Sequence, residues 1–166
     1  ILPAQAYAGV RARFTGLEVN GNLRLLGESG LRASESGSVL DLQLRGDLVR
    51  ATNLTTGGPL PRIAPARIGA TLAWAQGPLN ARLGFDHAAA QHRVPSTSRA
   101  TAAYTVWNAG VSARQKLPQA SLTWYARVDN LTNQLAYSAS SVLTSTAFPK
   151  APLPGRSLKL GVQVVF

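Results

Sequence analysis

The stretch that decides the fold is the last one, Ser157-Leu158-Lys159-Leu160-Gly161-Val162-Gln163-Val164-Val165-Phe166. One parity carries Leu158, Leu160, Val162, Val164 and Phe166, and the other carries Ser157, Lys159, Gly161, Gln163 and Val165. Successive side chains of a strand point to opposite sides, so this segment is a strand with one apolar face. Upstream, the same alternation recurs in Leu122, Trp124, Ala126 and Val128, and in Trp107, Ala109, Val111 and Ala113. It continues in Leu79, Ala81, Leu83 and Phe85, and in Ile68, Ala70, Leu72 and Trp74. Leu40, Leu42, Leu44 and Leu48, then Leu17, Val19, Leu23 and Leu25, complete the set. The reading gives an all-β chain of seven strands at 12–26, 38–53, 64–76, 79–94, 102–117, 119–134 and 155–166.

Strands of soluble sheets average about five or six residues; these are roughly twice that. Short turns are expected at 75–78 and 117–119, and longer connections at 54–63, 95–101 and 135–154. The first connection, 27–37, is long where a short turn is due. Long antiparallel strands joined by alternating short and long connections are the signature of an outer-membrane β-barrel. The apolar parity, rich in Leu, Val, Ala and Trp, is then the lipid face. In the first strand that parity continues as Arg11, Arg13 and Thr15, with a bulge expected near Gly16, and sets basic residues beside anionic headgroups. Trp74 at a short-turn end, and Tyr104 and Tyr137 at long-loop ends, are expected to form interfacial aromatic girdles.

Composition narrows the function. The chain has 166 residues, 45% of them hydrophobic, and no apolar run approaches the roughly 18 residues that a spanning helix needs. It has no Cys, which excludes disulfides, thiolate metal sites and a Cys nucleophile. It begins Ile1-Leu2-Pro3 and so reads as a processed product or a piece of something longer. Its 17 Lys+Arg against 7 Asp+Glu give a net charge of +10, which raises nucleic acid as a partner. The assigned parities disperse that charge instead: Arg24, Arg45, Arg67, Arg82, Arg114, Arg127 and Lys159 fall one to a strand on the polar face. A nucleic-acid groove gathers its cations among stacking aromatics, so no nucleic-acid partner is expected.

On this reading the cations line a lumen. They either pair with acidic partners outside the chain, the favoured alternative, or attract an anionic substrate; Glu18, Asp86 and Asp129 are expected as lumen salt-bridge partners. No nucleophile elbow, phosphate loop or metal-ligand cluster is present, so neither enzyme activity nor a cofactor is expected. His87 and His92, five apart on one strand, are expected on opposite faces and make no metal site.

The C-terminal third resembles a known family. Arg127-Val128-Asp129-Asn130-Leu131-Thr132-Asn133-Gln134 is similar to the segment that closes the penultimate strand of TonB-dependent outer-membrane receptors. Pro152-Leu153-Pro154-Gly155-Arg156-Ser157, with a terminal Phe166, resembles that family's lead-in to its final strand. Upstream, Ala12-Arg13-Phe14-Thr15-Gly16-Leu17-Glu18 and Pro59-Leu60-Pro61-Arg62-Ile63-Ala64-Pro65-Ala66-Arg67 resemble two further segments, in family order. The last of these and Ala151-Pro152-Leu153-Pro154-Gly155-Arg156-Ser157 are similar to segments of members that take up zinc or haem, although no His precedes the final strand here: that stretch reads Tyr137-Ser138-Ala139-Ser140-Ser141-Val142-Leu143. The resemblance implies the last seven strands of a 22-stranded, plugged barrel in a bacterial outer membrane. It implies energised uptake of a scarce nutrient such as a ferric siderophore, haem or a metal ion. The implied partners are outer-membrane lipid, the plug of the same full-length chain, the TonB system acting through that plug, and the outer-membrane assembly machinery. A porin-like barrel for passive diffusion is the alternative, and a basic RNA-binding β-domain ranks third.

In that family a final strand ending in an aromatic is the signal read by the assembly machinery. Leu158, Leu160, Val162, Val164 and Phe166 match it without a break. An amphipathic edge strand offers backbone hydrogen bonds for affinity and alternate apolar side chains for specificity. Phe166→Ala in the full-length protein is therefore expected to lower the amount assembled in the outer membrane far more than the transport per assembled molecule. Normal assembly of a Phe166 deletion, judged by heat-modifiable gel mobility, would refute this.

Overall fold

The computed structural model describes residues 9–27, 37–145 and 151–166. The chain start, most of the first connection (28–36) and residues 146–150 of the last one, on which expectations were placed above, lie outside the described residues. The described chain forms one antiparallel sheet in sequence order. Its strands are β1 (Ala12–Leu26), β2 (Ser38–Asn53), β3 (Arg67–Gln76), β4 (Leu79–Ala88), β5 (Tyr104–Lys116), β6 (Ser121–Asp129) and β7 (Ser157–Val165). The one described helix, α1 (Val142–Ser145), is a single turn.

All seven expected strands are present, and the expected parities hold across the sheet. One rung runs Leu23–Leu42–Leu72–Leu83–Ala109–Val128–Leu158 through all seven strands on the apolar face. The rung Arg24–Asp41–Ala73–Arg82–Gly110–Arg127–Lys159 does the same on the polar face. Along β2 the apolar parity from Leu40 to Leu48 covers about 26 Å at the usual rise per residue. An outer-membrane barrel needs an apolar band of about 25 Å.

Three local expectations are corrected. The register of β1 against β2 is unbroken past Gly16; the bulge lies between Arg24 and Leu26, so Leu26 rather than Leu25 stands opposite Leu40. β4 stops at Ala88 instead of 94, because Gln91 leaves the ladder to bridge Thr101 and its side-chain amide donates to the Ile63 carbonyl at 3.0 Å. His92 is consequently in a connection and not on the strand of His87. β6 stops at Asp129 because Asn130 takes a left-handed backbone conformation, φ 52°.

The ends of the sheet differ. Gly77 and Pro78 alone join the paired residues Gln76 and Leu79, and Gly77 supplies the positive φ of 52° that a two-residue hairpin turn requires. Residues 117–120 close β5 onto β6, and Val165 pairs with Ser121, so the chain end lies at this short-turn end. The connections 54–66, 89–103 and 130–156 lie at the other end.

The described residues form no conventional core. The buried apolar residues among those described are Ala51, Ala88 and Ala136, whereas Leu17 and Leu160 are 68% and 69% exposed. An apolar face of this extent needs an apolar medium against it.

The polar face is held by ions, and one pair shows how. Arg45 on β2 and Asp86 on β4 are not neighbours: Gly69 of β3 stands between them on the same rung. The Arg45 Nε–H nevertheless donates to Asp86 Oδ1 at 2.9 Å. A Cβ at position 69 would sit 2.7 Å from Arg45 Nε and 3.0 Å from Asp86 Oδ1, so the ion pair occupies the space that glycine leaves. In equilibrium unfolding of the intact barrel, a double-mutant cycle of Arg45→Ala and Asp86→Ala should give a coupling of about 0.2–1 kcal/mol, the range for exposed pairs. In a Gly69→Leu background the coupling should vanish. Equal coupling in both backgrounds would show that the glycine does not create the pair.

Candidate functional site

The polar face and the long-connection end above it form the candidate site. Five of the seven polar-face cations have acidic partners within the chain, which corrects the favoured expectation of partners outside it. Arg24 pairs with Asp41, its cross-strand neighbour. Arg67 pairs with Asp47 at 3.0 Å, also directly across the ladder. Arg45 reaches Asp86 over Gly69. Arg127 and Lys159 share Asp129, at 2.6 and 2.9 Å. Asp86 and Asp129 are thus ion-pair partners as expected, whereas Glu18 accepts from the Asn20 side-chain amide at 3.2 Å. Arg82 and Arg114 are exposed and have no ion pair among the described residues. Arg82 lies toward Gly110, where a Cβ would come within 3.2 Å of its Nε. The polar face therefore carries a mostly neutralised charge lattice, and among the described residues Arg82, Arg114 and Lys116 at the end of β5 are its strand cations without an ion pair. Such pairing fits partial burial, since an isolated buried charge is costly.

The long-connection end is built. Residues 54–66 return along β2: Thr52 bridges Pro59, and the Leu60 N–H donates to the Ala51 carbonyl at 3.3 Å. The 89–103 connection is tied to the same place by Gln91 and by Arg93. The Arg93 guanidinium donates to the Ala51 carbonyl at 2.6 Å and to Thr52 Oγ1 at 2.8 Å. After β6, the segment that carried the family resemblance is a clasp. Asn130, 3% exposed, donates through Nδ2 to the carbonyls of Gln134 and Pro154, and its Oδ1 accepts the Gln134 N–H at 2.8 Å. Asn133, also at φ 52°, accepts the Arg156 N–H at 3.0 Å. Two asparagines therefore join the end of β6 to the start of β7, and asparagine suits both because it tolerates positive φ and bonds backbone groups. Sequence reading identified these residues only by resemblance; the positional signal was Asn at both ends of a four-residue turn.

The aromatic residues fall partly as expected. Trp74 stands on the apolar face near the short turns, its indole N–H donating to Ser38 Oγ at 2.8 Å. Tyr104 is corrected: it pairs with Ala88 on the polar face, beside Arg67, and so stands away from the lipid-facing parity. Among the described residues, the aromatics on the apolar face at the long-connection end are Phe85 and Trp107, a cross-strand pair with ring centroids 5.2 Å apart. Parity held the signal, since Tyr104 lies three residues from Trp107. Tyr137 is half-buried in the connection after β6. His87 is on the apolar face, its Nδ1 2.8 Å from Thr105 Oγ1. Among the described residues no group of three or more His, Cys, Asp or Glu is placed to hold a metal.

On β7, Leu158, Leu160, Val162 and Val164 pair with Val128, Ala126, Trp124 and Leu122 on the apolar face, and Phe166 projects 98% exposed beyond the strand.

Comparison with known proteins agrees with this geometry. The family described as TonB dependent receptor-like, beta-barrel, matches residues 4–131. Among solved structures, copper transporter OprC is similar with a TM-score of 0.70 at 20% identity, over 93% of this chain and 24% of that one. The chain thus spans about a quarter of the solved protein it matches, and at that identity the likeness is one of fold. Proteins of this family are receptors and transporters of the bacterial outer membrane, not an enzyme family. A seven-stranded sheet with one apolar and one ion-paired face, matched over more than three-quarters of its length, belongs to the TonB-dependent receptor β-barrel family.

Proposed function

We propose that the chain is the C-terminal wall of a TonB-dependent transporter that takes up a scarce nutrient, with a metal ion or metal complex the favoured cargo. The observation that carries the reading is the two-faced sheet: an apolar band of membrane height backed by a neutralised charge lattice. A water-filled porin wall would serve passive diffusion equally well in cross-section, but the family match favours the receptor. The sheet has two edges, β1 and β7, and unpaired backbone groups cost several kcal/mol each in hydrocarbon. Further strands of a larger barrel would pair with both, and a plug in the lumen would respond to the TonB system.

In this reading the polar face lines the lumen. Arg82, Arg114 and Lys116 are the strand cations with charge to spare among the described residues, and acidic groups of the plug are their partners. Copper transporter OprC handles copper, but this segment has neither Cys nor Met, and His87 is turned to the apolar face. Soft metal ligands would come from elsewhere in the full-length chain. The cargo-side surface would be the connections around 55–61, 95–101 and 136–154, since binding residues concentrate on loops held by a rigid scaffold. The β7 edge with Phe166 would meet the assembly machinery.

Uptake by the full-length receptor, measured on defined iron, zinc, copper, haem and cobalamin sources, should be strong for one source and collapse when TonB is removed. Uptake independent of TonB would restore the passive-diffusion alternative. Deleting 136–154 should reduce uptake without abolishing insertion, and unchanged uptake would exclude that connection from cargo binding.

A further inference from the structure

Four guanidinium groups gather on the apolar side of the sheet, at its long-connection end. The rung Leu17–Leu48 is the last apolar one; beyond it the same face carries Thr15 opposite Arg50, then Arg13 opposite Thr52. The Leu54 N–H donates to the Arg11 carbonyl at 2.8 Å, which continues the register and sets Arg11 on the same parity. Arg93, held through Ala51 and Thr52, brings the fourth group to this corner. Arg11, Arg13 and Arg50 are exposed, and none has an ion pair among the described residues. The strand carboxylates Glu18, Asp41, Asp47, Asp86 and Asp129 all stand on the opposite face. The charge lattice that neutralises the polar side therefore has no counterpart here.

We propose that this corner of β1 and β2 binds the phosphorylated headgroup of a membrane lipid, whose acyl chains lie along Leu17, Val19 and Leu48. Arg13 and Arg50 are diagonal neighbours across the ladder, a relation that sets side chains about 7–8 Å apart. Two long side chains at that spacing converge on one phosphate, and the planar guanidinium fork matches its oxygens bidentately. Arg93 is pre-positioned by its two hydrogen bonds, whereas Arg13 and Arg50 are free to close on the ligand. The continuous apolar stripe directly below the arginines selects a lipid over a free phosphate. This inference uses the lipid-facing reading of the apolar side but is independent of cargo and of TonB.

The test is native mass spectrometry of the full-length receptor in detergent, titrated with lipid A, a bisphosphorylated lipid, and in separate arms with phosphatidylcholine and with inorganic phosphate. Wild type should retain lipid A above the other two. Arg13→Gln with Arg50→Gln should weaken that retention by roughly tenfold or more, while Arg13→Lys with Arg50→Lys, which keeps the charge but loses the bidentate fork, should retain an intermediate amount. Assembly is followed by heat-modifiable mobility, and if the double glutamine variant fails to assemble, Arg50→Gln alone is read in the same titration. Undiminished lipid A retention by a glutamine variant would overturn the proposal. So would equal retention of inorganic phosphate, which would mark a simple anion site, or equal retention of phosphatidylcholine, which would mark apolar adhesion alone. Uptake measured on the same variants separates this outcome from the transport reading, which survives if lipid is not retained and uptake is normal.

Discussion

The structure depends on one constraint: a backbone that crosses hydrocarbon must close every N–H and C=O within itself. A sheet does so only by running its ladders without interruption, and the six strand pairs here are continuous apart from the bulge between Arg24 and Leu26. The irregular backbone among the described residues collects outside the ladders, in the clasp at Asn130 and Asn133 and in the tied connections after β2 and β4. Local side chains satisfy it there. Asn130 and Arg93 perform for the connections what neighbouring strands perform for the ladder.

Once the ladder is continuous, the period of two divides all chemistry between two sides. The apolar side has no internal partner and takes its stabilisation from the surrounding medium, which is why large residues such as Leu160 are so exposed. The polar side must manage arginines and a lysine at close quarters, and it does so with ion pairs made along and across the rungs. The Arg45–Asp86 pair shows that absent side chains matter as much as present ones, because Gly69 opens the path between two strands that do not touch. Midway along β6 and β7 the Tyr125 ring lies over Gly161 in the same way. Among the described residues, the strand cations that escape this lattice define where the wall has charge to offer: Arg82, Arg114 and Lys116 on the polar face, and the arginine corner of β1 and β2 on the other.

Much of this was legible in the sequence, because parity is a local property. Alternation in Leu158 to Val164 or Leu40 to Leu44 assigns a face without any knowledge of neighbours, so the strands and both faces could be read directly. Pairing was not legible in the same way. Arg45 and Asp86 are 41 residues apart, and their contact depends on the register of three strands together. The expectation of external counter-charges for the polar face failed for that reason. Tyr104 lies near a strand end, as an interfacial aromatic does, but its parity sets it on the polar face. The bulge was assigned to Gly16 from residue type, whereas the register breaks at Leu25, where no residue type advertises it. The alternation of β4 runs past its end at Ala88, because Gln91 and Arg93 extend the polar–apolar pattern while spending their bonds on other connections.

The central claim is that one parity meets lipid and the other does not. Spin labels on single cysteines test it directly, since the segment itself contains no cysteine. Labels at Ala70, Leu72, Ala109 and Val111, and at Thr71, Ala73, Asn108 and Ser112, would be read in the full-length receptor in membranes. Accessibility to oxygen, which partitions into lipid, is compared with accessibility to a water-soluble nickel chelate. The account predicts high oxygen and low nickel accessibility at the first four positions, with oxygen accessibility falling at each alternate one. Loss of the alternation, or a lipid signature on the second four, would contradict it.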